Sequence, residues 1–370
     1  MATRLNPEEE AEIHGDVLEE VLSHVSSVDL VSASHVSKRW RGSVSSSLRH
    51  NNPPKPWLLL HTQSTRSPHA TVSYAYDPRS NVWITIRRPS IEYVSSLRSS
   101  AANLLYMLSP SSFSFSLDPL HSDWCAVDPP RVWRQDPVVA RVGDSVVVAG
   151  GACYFELDPL AVEIYDLRAR AWCTCESMPP NLKDSAASQW LSYAATNEKL
   201  IVVEKQTGLT HWFDPDTKSW SGPIVLNPSQ PVRSYHIGCS GGRLIVIGIC
   251  PIENAESVKV WRIGENDFSF EEIGEMPEEF VTGLKSSWEE ITIDIRVAGN
   301  LVYVYNSSEA EELVACELVG GGRCRWWKVR NVVAREGLIS KTSVFACSEV
   351  GIGELQRAMT MKKWRFEVVQ

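Results

Sequence analysis

No run in this chain approaches the roughly 20 apolar residues of a membrane-spanning helix. The opening, MATRLNPEEEAEIHGD, is too acidic for a signal or transit peptide. No membrane partner is expected. A basic block is missing as well. Residues 1–56 hold six Lys/Arg against eight Asp/Glu, the remainder 30 against 37, and the net charge is −9. That balance argues against nucleic-acid binding. The nine cysteines, at 125, 153, 173, 175, 239, 250, 316, 324 and 347, include no Cys-x-x-Cys pair, and their number is odd. They read as reduced, mostly buried thiols of a cytoplasmic or nuclear protein.

Catalytic groupings are equally scarce. There is no G-x-S-x-G, H-E-x-x-H, G-x-G-x-x-G or P-loop. Beyond residue 56 the histidines are 61, 69, 121, 211 and 236, none at an H-x-H or H-x-x-x-H spacing. His211 and His236 read as single polar residues at strand edges. No catalytic residue, metal or cofactor is assigned, and an enzyme is not expected. The Asn306-Ser307-Ser308 sequon reads as chance in a chain without a secretory signal.

What the chain does have is length for one large domain and one small one, with an ordinary 43% hydrophobic and 22% charged residues. It also has 14 tryptophans spread along its length, which suggests a recurring structural position.

From Asp16 to Arg49 there is no proline and one glycine. Val17, Leu18, Val21, Leu22, Val25 and Val28 form a stripe of helical period. Asp16 reads as the N-cap, with Glu19 completing a capping box, and Ser26-Ser27 reads as a break. Leu30, Val31, Ala33, Val36 and Trp40 continue the apolar face. So few helices cannot bury that face alone, which makes 12–50 a helical interaction module. Residues 1–11 read as a disordered acidic N-terminus. Residues 51–56, Asn-Asn-Pro-Pro-Lys-Pro, read as a short stiff linker.

The run from Ile13-His14-Gly15-Asp16 through Val28-Asp29-Leu30 to Val36-Ser37-Lys38-Arg39-Trp40 resembles an F-box over about 30 residues. The closing Val-Ser-Lys-Arg-Trp is its most specific piece. Where the family usually opens with Leu-Pro, this chain has Ile13-His14. The resemblance implies binding of a Skp-family adaptor and, through it, a cullin scaffold. The implied contact residues are Ile13, Leu18, Val21, Leu22, Val25, Leu30, Val36 and Trp40.

After Trp57 short β-rich runs alternate with turn residues. One unit recurs: an aromatic or Leu, then Asp, then a turn, then Trp six residues after the Asp. The copies are Tyr76-Asp77 to Trp83, Leu117-Asp118 to Trp124, Tyr165-Asp166 to Trp172 and Phe213-Asp214 to Trp220. The aspartates step by 41, 48 and 48 residues. Degraded copies occupy 258–270 and 313–327. An apolar strand precedes each unit, at 57–60, 103–108, 145–149, 200–203, 244–249 and 301–305, and the third ends in Gly150-Gly151.

The physics suits one propeller blade per unit. A strand pair near the axis, buried on both faces, reads as continuous Val/Ile/Leu. Asp in the following turn bonds backbone amides, and Trp on the outer strand packs between blades. With its Gly-Gly, Tyr-Asp and spaced Trp, the region is similar to kelch repeats, whose period matches the 48-residue step. The expected fold is therefore mostly β: a kelch-type β-propeller over 57–370, preceded by a small all-α F-box. Six blades are counted, with a seventh left open. The tail strands at 343–347 and 364–368 are expected to complete the first blade.

In such a propeller the loops entering each innermost strand and those joining the second and third strands share one face. Five entry loops, 87–100, 128–135, 176–190, 223–236 and 276–290, mix basic and aromatic residues. Tyr93, Arg98, Trp133, Arg134, Trp190, Arg233, Tyr235 and Trp288 are the candidate substrate-binding residues, being of the types that dominate interface energy. Glu278, Glu279, Glu289 and Glu290 form an acidic rim suited to a basic partner.

Together the two resemblances imply the substrate-recognition adaptor of a Skp–cullin–F-box ubiquitin ligase. The F-box would hold the ligase machinery and the propeller a protein marked for ubiquitination and proteasomal degradation. F-box proteins with few, divergent kelch repeats are typical of land plants, and several relatives direct turnover of phenylpropanoid and flavonoid biosynthetic enzymes. Two other classes stay open. One is a non-ligase kelch scaffold, in keeping with the altered Ile13-His14 start. The other is a kelch-type enzyme with a metal site built from distant loops at the axis.

Overall fold

Serine caps shape the helical segment. A computed structural model describes residues 15–65, 69–88, 92–93, 95–151, 158–252, 255–264, 268–285, 291–306, 311–320, 322–331 and 341–369. It begins with α1 (Asp16–Ser23), α2 (Ser27–Val36) and α3 (Lys38–His50). The Ser26 side chain accepts from the Asp29 amide at the start of α2, and Ser37 does the same for Trp40 at the start of α3. α1 is different. Its cap is Gly15 at φ 57°, and the expected cap Asp16 sits inside the helix, making no capping bond. Leu18, Leu22, Leu30 and Val44 form the small core, with Val25, Trp40 and Ile352 packed against it.

The strands follow in chain order. β1 (Trp57–Ser64), β2 (His69–Asp77), β3 (Val82–Arg87) and β4 (Glu92–Tyr93) come first. Five four-stranded antiparallel sheets then form. The first has β5 (Arg98–Ser99), β6 (Leu105–Ser109), β7 (Ser112–Ser116) and β8 (Cys125–Val127). The second has β9 (Val138–Val142), β10 (Ser145–Ala149), β11 (Val162–Asp166) and β12 (Ala171–Thr174). The third has β13 (Leu191–Ala195), β14 (Leu200–Glu204), β15 (Leu209–Asp214) and β16 (Ser219–Val225). The fourth has β17 (Ser234–Ser240), β18 (Arg243–Ile252), β19 (Ala255–Ile263) and β20 (Phe270–Glu275). After α4 (Glu278–Val281) the fifth has β21 (Ile293–Ala298), β22 (Leu301–Asn306), β23 (Glu312–Val319) and β24 (Arg323–Arg330). The chain ends with β25 (Lys341–Ser348), α5 (Ile352–Thr360) and β26 (Arg365–Val369).

β25 pairs with β1 in an unbroken register from Trp57↔Ser348 to Ser64↔Lys341. The last long strand thus supplies the innermost position of the first blade, and the blades number six. β26 pairs along β3, Arg365↔Arg87 to Val369↔Trp83. Both tail strands therefore join strands of the first blade, as the sequence suggests.

The chain divides into two compact units. The first contains the described part of Met1–Lys55 together with Tyr76–Arg88 and Val350–Gln370; the second contains Pro56–Ala75 and Pro89–Glu349. The helical module thus shares its unit with a turn and a strand of the first repeat and with the C-terminal helix. Asn52, in the expected linker, donates to the carbonyls of Ser23 at 2.9 Å and Arg79 at 3.1 Å.

The repeat turns behave alike. Each Asp accepts from amides two or three residues on: Arg79 for Asp77, Leu120 and His121 for Asp118, Arg168 and Ala169 for Asp166, Asp216 and Thr217 for Asp214. Four residues after each Asp the chain turns left-handed, at Asn81, Ser122, Arg170 and Lys218. That reversal sets the cross-strand pairs Tyr165↔Trp172 and Phe213↔Trp220. Trp172 also lies 5.7 Å from Phe113 of the preceding sheet, so it packs between blades.

In the second unit the core lies between blades. One cluster joins Ile245, Ile247 and Val260 to Ile293, Ile295 and Val304 of the next sheet. The continuous apolar runs are the second strands, such as β22, buried at every position. Among the innermost strands β9, β13 and β17 are buried at most positions, as expected, and β21 departs from this. β21 alternates buried and partly buried, because one of its faces lines the axis instead of a neighbouring sheet.

Candidate functional site

Two surfaces could carry binding, one in each unit. On the helical unit the implied adaptor-contact residues separate by burial. Leu18, Leu22 and Leu30 are buried, and Val25 and Trp40 are packed against them. These five hold the module together. Val21 and Val36 face solvent at 49% and 63% exposure. Val17, one turn before Val21 on α1, is 62% exposed and was not singled out in the sequence. The available signal in the sequence is the four-residue spacing of Val17 and Val21, which puts both on the same side of α1. Ile13 lies outside the described residues.

Two charged residues from the first repeat turn hold this unit. Asp77 is fully buried, and its carboxylate accepts from the Ser27 amide at 3.1 Å, at the positive end of α2. Arg79 donates to Leu22 O at 2.8 Å, to Val25 O and to Asn52 O at 2.9 Å, at the negative end of α1. Burial pulls the Arg79 guanidinium below its ordinary value, and Asp77 opposes that shift.

On the propeller unit three cavities, of about 790, 600 and 560 Å³, share lining residues and form one basin on the axial face. Trp190 and Arg233 line the largest, and Arg98 and Trp190 line the smallest. These three of the eight candidates are brought together. Arg134 is not available to a partner. It is 0% exposed and donates to Gly150 O, Ala161 O and the buried Glu163 carboxylate. It props the Gly150-Gly151 bend, where a Cβ on Gly151 would lie 2.4 Å from the Asp136 backbone. Tyr235 is also buried, in the core between the third and fourth sheets. Trp133 is partly buried and lines none of the three cavities. Tyr93 sits in β4 opposite His69, and Trp288 lies outside the described residues.

The floor of the basin contains groups the sequence reading passed over. Lys205, His236, Asp294 and Arg296 line the largest cavity, and Arg296 and Tyr305 the adjoining one. Lys205 and Asp294 stand 3.8 Å apart, Arg98 and Asp136 3.9 Å apart. Burial, with Lys205 adding to it, pushes the His236 imidazole down to about 3. His211 and His236 are buried within β15 and β17, not at strand edges. The signal was present: Ile293-Asp294-Ile295-Arg296-Val297 alternates apolar with charged, which places the charges on the axial side. Glu278 and Glu279 of the expected acidic rim are exposed on α4 and line none of these cavities. Glu289 and Glu290 lie outside the described residues.

Among the described residues no group of three or more His, Cys, Asp or Glu is placed to hold a metal, and no helix is long and apolar enough to cross a membrane. Asn306 is buried and donates to Leu284 O, which leaves the sequon no role at the surface.

Comparison with known proteins agrees with this architecture. The F-box domain family matches residues 12–52. An F-box/kelch-repeat protein of Arabidopsis thaliana is 43% identical over 368 residues, covering 95% of this chain and 93% of its own length. Among solved structures, that of YjhT aligns at a TM-score of 0.39 and 13% identity, over 55% of this chain and 66% of that one, too distant to carry an argument. With an F-box at one end, a six-bladed propeller after it, and this identity across nearly the whole length of both chains, the protein belongs to the F-box/kelch-repeat family.

Proposed function

We propose that this protein is the substrate-recruiting subunit of a Skp–cullin–F-box ubiquitin ligase. The observation that carries the reading is an F-box over 12–52 that leaves Val17, Val21 and Val36 open on an otherwise packed module. Isolated exposed valines are unremarkable on a globular surface. Three of them on a domain family that generally binds Skp-type adaptors are a partner's contact points. The propeller supplies the other half, an axial basin rimmed by Arg98, Trp190 and Arg233, which receives a protein substrate.

The protein performs no chemistry in this scheme. It raises the local concentration of substrate near the ubiquitin donor, and degradation by the proteasome follows. The work takes place in the cytoplasm or nucleus, where cullin–RING ligases act. Family resemblance favours a phenylpropanoid or flavonoid biosynthetic enzyme as the substrate.

Co-expression of the full chain with a plant Skp-family adaptor and a cullin tests the proposal. Co-elution of the three as one complex supports it. A chain that always elutes alone removes the ligase and leaves a kelch scaffold.

A further inference from the structure

Arg296 and Tyr305 sit on the floor of the axial basin with hydrogen-bonding capacity unspent. The Arg296 guanidinium gives its Nε to Phe345 O at 2.9 Å and one terminal nitrogen to Ile295 O at 2.7 Å. A guanidinium carries five N–H donors, so others remain. Among the described residues no carboxylate lies within ion-pair distance of it, Asp294 on the same strand included. The guanidinium lies 5.9 Å from the centre of the Tyr305 ring. Tyr305 is 4% exposed, and its hydroxyl has no hydrogen-bond partner among the described residues. Burial raises the pKa of that hydroxyl, which keeps it a neutral donor.

A partly buried cation with no carboxylate at ion-pair distance, beside a hydroxyl with no protein acceptor, leaves N–H and O–H donors facing the basin that an anion can take. Both line the cavity of about 600 Å³, and Arg296 also lines the one of about 790 Å³. Further cations line the same basin, Arg233 paired with Glu256 at 2.7 Å and, more loosely held, Lys205 and Arg98. Lys205 and Arg98 have carboxylates only at 3.8 and 3.9 Å, too far for direct hydrogen bonds. The basin is cationic although residues 57–370 carry a net charge of −7 (30 basic against 37 acidic). Its three connected cavities extend beyond what one small ligand would fill.

We infer that this basin receives an acidic segment of the captured protein, with a side-chain carboxylate seated on Arg296 and Tyr305 and further acidic residues reaching Lys205 and Arg98. The inference rests on the reading of the propeller as the substrate-binding domain, and it names the class of segment bound.

The test uses full-length protein and a fluorescein-labelled oligo-glutamate peptide read by anisotropy, with oligo-glutamine as control. Oligo-glutamate should bind in preference to oligo-glutamine and release as salt rises. Arg296→Gln should weaken binding about tenfold or more, Arg296→Lys less, and Tyr305→Phe several-fold. Should Arg296→Gln fail to fold through loss of its carbonyl bonds, Lys205→Glu reads the charge instead. Lys205 is partly exposed, and among the described residues its ion pair is the loose one with Asp294 at 3.8 Å. Equal binding of the two peptides, or unchanged binding in both the Arg296→Gln and Lys205→Glu variants, overturns the inference. So does displacement by free citrate at the same concentration as by the peptide, which would make this a small-anion site. Adaptor binding is measured on the same variants and should be unchanged. Its loss in the wild type would strike the ligase reading, whereas loss of peptide binding alone strikes only this inference.

Discussion

The Asp77 carboxylate accepts a hydrogen bond at 3.1 Å from the backbone amide of Ser27, fifty residues earlier. One oxygen thereby satisfies an orphan amide at the start of α2, while two residues on Arg79 takes the carbonyls at the end of α1. A repeat turn has been recruited to finish two helix ends. Arg79→Met should leave three carbonyls without partners and lower the stability of the helical unit by about 3 kcal/mol. Asp77→Ala should cost about 2 kcal/mol. Hydrogen exchange over 16–36 checks both. Protection equal to wild type would show that the turn does not support the helices.

Leu22 and Val21 are neighbours in sequence with opposite roles. Leu22→Ala opens a cavity in the helical core and should cost about 2–5 kcal/mol. Val21→Ala, on the exposed side, should change stability by less than about 0.5 kcal/mol. Chemical unfolding monitored through the helical signal distinguishes them. Equal costs would mean that α1 is turned differently about its axis.

Arg134 and Glu163 form a buried pair at 3.1 Å. Arg134→Met strands the carboxylate and should destabilise the propeller by about 3–5 kcal/mol. Adding Glu163→Gln removes the stranded charge while keeping one acceptor oxygen for one of the two amides, Arg131 or Val132, that donate to the carboxylate, and should recover part of the loss. A double variant no better than the single would mean that the pairing is not the source of the stability.

His236 gives the propeller a pH dependence of known sign. Its folded value of about 3 lies below the ordinary value near 6.5. Between those limits the unfolded chain holds a proton that the folded chain does not. Stability is therefore complete above about pH 6.5 and falls as pH drops toward 3, by at most about 1.4 kcal/mol per pH unit. His236→Gln should flatten the wild-type curve over that window. Parallel curves would mean that the imidazole can charge in place.

Much of this architecture was legible because it repeats. The Asp-to-Trp spacing reports a turn whose left-handed fourth residue is the same in every copy, at Asn81, Ser122, Arg170 and Lys218. What spacing cannot report is where a side chain points. Arg134 and Arg98 are similar loop arginines in the sequence, yet one is spent inside the Gly150-Gly151 bend and the other lines the basin. The apolar stripe of α1 likewise merges two faces, since Leu18 and Leu22 turn inward while Val17 and Val21 turn out. Arg79 was hidden for another reason: its partners Leu22, Val25 and Asn52 lie far back along the chain, the first two more than fifty residues away, and no local pattern encodes them.

The central claim is that the exposed side of the F-box holds a Skp-family adaptor. Its most direct test is an affinity titration of purified adaptor against wild-type protein and a Val17→Asp, Val21→Asp variant. Both positions are exposed, so the variant should melt with the wild type while binding the adaptor at least about a hundredfold more weakly, as two charges enter an apolar contact. Equal affinity, or no binding by the wild type, would contradict the account.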